Sequence, residues 1–205
     1  MSSVAIVDYG LCNLDSVRRA VEECGGRPIV TSKPEAVLAA SHVILPGVGA
    51  FPEAMGNLHR DGLVDALRRQ VIEKGAPFLG ICLGMQLLAT RSLEGRPTAG
   101  LGWIESEVRR LEPSNGSRVP HIGWNELRIE HRSGLLDGIS DGADFYFVHS
   151  YVLWPDRDSD VLARTPFGDT LVVTAVERDN IAGVQFHPEK SQRLGFQIIR
   201  NFLKV

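Results

Sequence analysis

Cysteine is scarce in this sequence: 205 residues hold three, Cys12, Cys24 and Cys82. Their number is odd, and their spacing matches neither a zinc-ligand pattern nor a disulfide framework. A reduced intracellular compartment is therefore expected. Excess charge of one sign is also missing. Lys and Arg total 22 against 25 Asp and Glu, a net charge of −3. That gives no electrostatic ground for nucleic acid or an anionic membrane as a partner. The paired arginines Arg18 and Arg19, Arg68 and Arg69, and Arg109 and Arg110 lie among acids and read as solvated faces. No run of about 18 apolar residues is available to span a bilayer. "MSSVAIVDYG" enters a strand directly, without the basic stretch and apolar run of a signal peptide. Repeats and low-complexity linkers are absent as well. A cytosolic protein is expected.

What the chain does have is ordinary core material. Apolar residues make up 43% and charged residues 23%, and the length suits a single domain over residues 1–205. In the first half, strands and helices alternate. "VAIVDY" (4–9) reads as a strand buried on both faces. Leu14, Val17, Val21 and Cys24 follow at helical spacing, and Gly25-Gly26 stops that helix. "RPIVT" (27–31), "HVILPG" (42–47) and "APFLGIC" (76–82) read as further strands. A short helix opened by Pro34, a longer one ended by Gly75 and a helix over "LGMQLLA" (83–89) lie between or after them. This rhythm predicts an α/β fold with a mostly parallel central sheet flanked by helices. The second half changes character. "GWIESEVRRL" (102–111), "FYFVHSYVLW" (145–154), "LVVTAVE" (171–177) and "IAGVQFHP" (181–188) are strand-like with short turns, which predicts an antiparallel extension of the sheet. "GFQIIRNFLKV" (195–205) closes the chain as a helix.

Gly80-Ile81-Cys82-Leu83-Gly84 has the G-x-nucleophile-x-G pattern of a sharp strand-to-helix turn. Glycines two residues either side remove side chains that would collide in so tight a crossing. The central residue then stands at the carboxyl end of the sheet and at a helix N-terminus, where partial positive charge favours a thiolate. A structural cysteine in a glycine-rich turn meets the same pattern, so the motif needs partners. "GVQFHPEKSQ" (183–192) supplies them. Alternation puts Val184 and Phe186 on one side and Gln185 and His187 on the other. Two residues of extended chain, about 6.6 Å, separate His187 from Glu189, so a base and its orienting carboxylate point the same way. "LPGVG" (45–49) is a glycine turn after a buried strand. It can present backbone N–H groups to a developing oxyanion, as can the N–H of Leu83.

With these residues in hand the chain resembles the class I (triad) glutamine amidotransferases. Within them it is similar to the glutaminase subunits of imidazole glycerol phosphate synthase. The motifs run from "VDYGLCNLDSV" (7–17) through "LPGVGAF" (45–51), "LGICLGMQLL" (79–88), "GLGWI" (100–104), "VPHIGWN" (119–125) and "YFVHSY" (146–151) to "GVQFHPEKSQ" (183–192) and "NFL" (201–203). The resemblance implies a Cys82–His187–Glu189 triad that hydrolyses L-glutamine through a γ-glutamyl thioester, with no metal and no organic cofactor. It implies an oxyanion hole from Gly47, Val48, Gly49 and Leu83, with a peptide flip as one route to it. Gln86 and the segment His149, Ser150 and Tyr151 would hold the amino-acid end of the substrate.

The resemblance further implies a heterodimer with a (β/α)₈-barrel cyclase that takes the ammonia through a sealed channel in histidine biosynthesis. It puts Trp124, Asn125, Lys190 and Gln192 at the docking face, with Asn13 as a neighbour there or as a helix cap. Cys12 occupies a position where the family usually has glycine, tolerable if its φ is negative. Two alternatives remain in view. One is the same glutaminase chemistry feeding an enzyme that builds amidino groups on sugars. The other is a non-catalytic binding protein that reuses the cysteine turn, a reading that leaves the His187-x-Glu189 pair without a purpose.

Overall fold

The computed structural model describes residues 2–205; Met1, the first residue of the expected domain, lies outside them. The strands in chain order are β1 (Ser3–Val7), β2 (Arg27–Thr31), β3 (His42–Gly47), β4 (Phe78–Cys82), β5 (Ala89–Ser92), β6 (Thr98–Ala99) and β7 (Ile104–Arg110). They continue with β8 (His121–Glu126), β9 (Arg128–Ile129), β10 (Asp144–His149), β11 (Tyr151–Pro155), β12 (Val161–Phe167), β13 (Thr170–Arg178) and β14 (Ile181–Val184). The helices are α1 (Leu14–Glu23), α2 (Pro34–Ala39), α3 (Phe51–Arg60), α4 (Leu63–Leu67), α5 (Leu83–Gln86) and α6 (Gln192–Phe202).

An eight-stranded sheet in the order β2-β1-β3-β4-β14-β13-β12-β9 forms the centre. From β2 to β14 its neighbours are parallel, and from β14 to β9 they are antiparallel. Of the stretches expected to extend the sheet, 171–177 and 181–188 join it, whereas 102–111 forms β7 in a separate sheet with β11, β5 and β6. Successive residues of the parallel strands go to opposite faces. Ala5, Val7, Val43, Leu45 and Phe78 pack with α2, α3 and α4. Val4, Ile6, Ile44, Leu79 and Ile81 pack with α1 and α6. Both faces are covered, which is why these strands are apolar throughout. The glycine stop after α1 is a double one: Gly26 N–H reaches Val21 O and Gly25 N–H reaches Glu22 O, each at 3.0 Å, with Gly25 at φ +87°. Among the described residues no helix is long and apolar enough to cross a membrane.

Three expectations are corrected. The helix over 83–89 is a single turn, α5, because the carbonyls of Leu87, Leu88 and Ala89 accept the N–H groups of Leu101, Ile104 and Gly102. The stretch 145–154 is two strands in two sheets, β10 against β8 and β11 against β7, with the break at Ser150. α4 widens after Leu67 into a π-helical segment, Arg68–Glu73, before Gly75 at φ +73° ends it. The first two corrections shape the site, since α5 and Ser150 both line its cavity.

Candidate active site

Cys82 ends β4 with φ +54° and ψ −108°, a conformation that costs a side-chain-bearing residue on the order of 1–3 kcal/mol. The flanking glycines are required by contact. A Cβ on Gly80 would meet Gly84 O at 2.6 Å and Met85 N at 2.8 Å, and one on Gly84 would run into the carbonyl of Leu45. The sulfur accepts from Gln185 Nε2 at 3.5 Å and faces Val148 O at 3.9 Å. The other two thiols are quiet: burial pushes Cys12 up to about 11 and raises Cys24.

β14 runs parallel to β4, pairing Gly183 with Gly80 and Val184 with Ile81. Beyond it, Val184 and Phe186 enter the core layer with α1 and α6, while Gln185 turns to the sulfur, as alternation requires. His187 is held by its own N–H to Tyr146 O at 2.9 Å and by Ser191 Oγ to its carbonyl at 2.6 Å. Its Nδ1 donates to Glu189 Oε1 at 2.7 Å, both side chains being almost fully buried. Burial works against charging His187, but the Cys82 sulfur and the Glu189 carboxylate outweigh it and push its pKa up to about 10. Among the described residues its Nε2 has no hydrogen-bond partner, which leaves that atom free to exchange a proton.

A cavity of about 270 Å³ opens beside the sulfur, lined by Val48, Gly49, Cys82, Leu83, Gln86, Glu94, Val148, His149, Ser150 and Tyr151. Its size suits a small ligand such as one amino acid. Gln86 donates to Tyr151 O at 2.9 Å and to Gln185 Oε1 at 3.0 Å. Glu94 is the one carboxylate in the wall, fixed by the N–H of Phe51 at 2.8 Å. His187 is absent from that wall. With Glu189 it borders a narrow crevice on the far side of the Pro46-Gly47-Val48 turn, shared with Asn13.

Gly47 pairs with Cys82 across β3 and β4, and a Cβ there would strike the buried hydroxyl of Tyr9. Gly49 has φ +96°, and Val48 is 40% exposed. Asn13 occupies the cap position of α1 without making a side-chain capping bond. Trp124 is exposed on β8, its ring centroid 6.0 Å from that of Tyr146, and Lys190 Nζ lies 5.8 Å from the Tyr146 centroid. Asn125 does not join them. One residue along the strand it faces inward, bonded to His121 and to Pro166 O. Gln192 is exposed at φ +53°. Cys12 is not among the residues of positive φ, and its thiol is placed toward Pro46 O at 3.4 Å.

The family model described as "Glutamine amidotransferase class-I" matches residues 5–205. The chain belongs to the class-I glutamine amidotransferases. Curated relatives named imidazole glycerol phosphate synthase subunit HisH include that of Moorella thermoacetica, 48% identical over 98% of this chain and 94% of the relative. That of Caulobacter vibrioides is 43% identical over 100% and 99%. Among solved structures, a glutamine amidotransferase shares the fold at TM-score 0.75 and 22% identity, covering 98% of this chain and 97% of that one. A putative GMP synthase protein from Thermoplasma acidophilum does so at 0.74 and 19%, covering 100% and 93%. The mostly parallel sheet flanked by helices is thus the fold of this amidotransferase class. Three residues at or behind the cavity carry no role in the sequence expectations. Glu94 follows α5 with no motif of its own, His121 sits in "VPHIGWN" unassigned, and Gln185 was placed on the correct strand face without a role.

Proposed function

We propose that this chain, a single amidotransferase domain over residues 1–205, is the glutaminase subunit of an imidazole glycerol phosphate synthase. It hydrolyses L-glutamine and passes the ammonia to a (β/α)₈-barrel cyclase in the cytoplasm. The observation that carries the chemistry is His187, braced by Glu189 at 2.7 Å on one nitrogen and unpartnered on the other, beside a cysteine on a strained turn. The acceptor pathway rests on the names of the relatives. Cys12, in the position where the family usually has glycine, fits its loop without a positive φ.

The thiolate of Cys82 attacks the carboxamide carbon of glutamine. The resulting oxyanion is held by N–H groups from Leu83 and from the Gly47-Val48-Gly49 turn. His187 Nε2 gives its proton to the departing nitrogen, ammonia leaves, and the γ-glutamyl thioester remains. Water then attacks the thioester, giving its proton back to Nε2, and glutamate departs as the thiolate re-forms. Glu189 keeps the proton of Nδ1 in place and stabilises the imidazolium throughout. Glu94 and the amide oxygen of Gln86, whose two N–H groups are committed to Tyr151 O and Gln185 Oε1, face the substrate's ammonium, and the backbone of His149, Ser150 and Tyr151 faces its carboxylate end. Ammonia released into water would be protonated and lost to the acceptor, so the crevice at Asn13, Pro46 and Val48 would have to be covered by the cyclase.

The test is glutamate release from glutamine by the chain alone, then with its host's histidine-pathway cyclase and that cyclase's nucleotide ligand. A large rise with the liganded cyclase, absent in Cys82→Ala, supports both chemistry and pathway. Hydrolysis with no rise overturns the cyclase as acceptor, and no hydrolysis in any complex overturns the glutaminase.

A further inference from the structure

Asn125, His121, His149 and the carbonyl of Tyr151 form one hydrogen-bonded chain along the inner side of β8 and β10. Asn125 Nδ2 lies 3.1 Å from His121 Nε2, His121 Nδ1 lies 2.9 Å from His149 Nε2, and His149 Nδ1 lies 3.0 Å from Tyr151 O. The two histidines are direct cross-strand partners. His121 is buried, with its ring stacked on Phe147 at 4.8 Å and 19°.

Chemistry at the two ends fixes every proton between them. A carbonyl only accepts, so His149 carries its proton on Nδ1 and, as a neutral ring, leaves Nε2 bare. That bare nitrogen needs a donor, which makes His121 an Nδ1–H tautomer with a bare Nε2 of its own. Asn125 meets it with an N–H. The orientation of the Asn125 amide is set independently: Nδ2 also donates to Pro166 O at 2.8 Å, and Oδ1 accepts the N–H of Glu126 at 2.9 Å. Both ends impose the same direction on the chain. Burial holds both rings in the neutral state this requires, lowering His121 and driving His149 down to about 3.

Buried polar rings are tolerated only where every nitrogen is satisfied, and in this pair all four are. Its inner end is the Tyr151 carbonyl, which Gln86 also uses, and Gln86 leads through Gln185 to the Cys82 sulfur. Its outer end is on β8, whose other face carries Ile122, 60% exposed, and Trp124. We propose that His121 and His149 are positioning residues: a neutral, single-tautomer pair that holds the His149–Ser150–Tyr151 backbone and Gln86 against the substrate and anchors them to Asn125. The proposal rests on the glutaminase reading for what is being held, whereas the tautomers stand apart from it.

Two variants and two readouts test it in the full chain. Nitrogen-15 shifts of the imidazoles report the tautomers, and glutamine kinetics with saturating liganded cyclase report the pocket. Wild-type His121 and His149 are each expected as Nδ1–H near neutral pH. His121→Phe keeps the stack on Phe147 and removes the donor. Asn125→Asp keeps the size but presents a carboxylate where an N–H is needed. Each is expected to shift the His149 Nε2 resonance, whose donor is lost or redirected, while Tyr151 O keeps the proton on Nδ1, and to raise KM for glutamine by about tenfold, the worth of one lost hydrogen bond, with kcat within about twofold. A variant that fails to fold loses its dispersed spectrum, and the other then decides. Nε2–H rings in the wild type, or an unchanged KM in a folded variant, overturn the proposal. Absence of glutamine hydrolysis in the wild type overturns the glutaminase reading instead, and the tautomers still decide the relay.

Discussion

The N–H of Val48 is given to the carbonyl oxygen of Leu11 at 2.8 Å. Val48 is the middle residue of the turn assigned to the oxyanion, one residue beyond Gly47, the register partner of Cys82. A backbone amide has a single proton to donate, so while Leu11 holds it the site lacks one oxyanion donor. Gly47 and Gly49 on either side are the residues that allow the intervening peptides to turn. The chain alone is therefore expected to hydrolyse glutamine slowly. The liganded cyclase should raise the rate by about 10²–10³-fold, the worth of one such donor, and shift the Val48 amide resonance at the same time. Full activity in the free chain, with the Val48 amide still protected from exchange, would show that this donor is not needed.

Strain at Cys82 predicts an inverted order of stability. Glycine normally destabilises a position relative to alanine because it loses more backbone entropy on folding. At φ +54° the order should reverse, since alanine keeps the steric penalty and glycine does not. Cys82→Gly is expected to melt above Cys82→Ala by roughly 2–4 °C, about 1 kcal/mol for a chain of this length, with both variants inactive. The reverse order in thermal unfolding would mean that the turn carries no strain of this kind.

How far the sequence foretold these features depends on whether local pattern or distant contact decides them. The parallel strands were readable because burial on both faces leaves runs such as "HVILPG" with no polar residue but the terminal histidine. Cys82, His187 and Glu189 were readable because each sits in a short motif whose geometry is local. α3 carried its own signal, Phe51, Ala54, Met55 and Leu58 on one face behind Pro52, and went unread beside the stronger glycine turn before it. The early end of α5 was not readable, since it is imposed by N–H groups from 101–104. Glu94 and the pairing of His121 with His149 were hidden for the same reason: nothing near Glu94 says that the fold will bring it to the cavity, and nothing near His149, itself legible in the "HSY" segment, says that His121 will meet it across the strands.

The charge state of His187 gives a pH dependence with a definite sign. An unfolded histidine releases its proton near about 6.5, whereas folded His187 is pushed up to about 10 by Cys82 and Glu189, against burial. Stability from its raised pKa is fully present below about pH 6.5 and is lost as pH rises through about 10. Glu189→Gln removes one of the two groups that raise it. The variant's loss of stability in urea unfolding is expected to be largest near about pH 6 and to shrink toward about pH 10. An equal loss at both ends of that range would assign the role of Glu189 to packing rather than to charge.

Trp124, Tyr146 and Lys190 make a cluster on the outer side of β8 and β10 whose loss should separate docking from chemistry. Trp124 is 49% exposed, and Lys190 Nζ, 5.8 Å from the Tyr146 centroid, is within reach of a cation–π contact. A large, half-exposed aromatic braced by its neighbours has the character of an interface anchor. Trp124→Ala is expected to weaken cyclase binding by about 30-fold or more. Lys190→Ala should reduce the cyclase-dependent rise in glutamate release more than it reduces affinity. Neither should change the rate at which iodoacetamide alkylates Cys82 in the free chain, a clean readout because Cys12 is pushed up to about 11 and Cys24 is raised by burial. Slower alkylation would move these residues into the chemistry of the site, and unchanged affinity in Trp124→Ala would place the docking surface elsewhere.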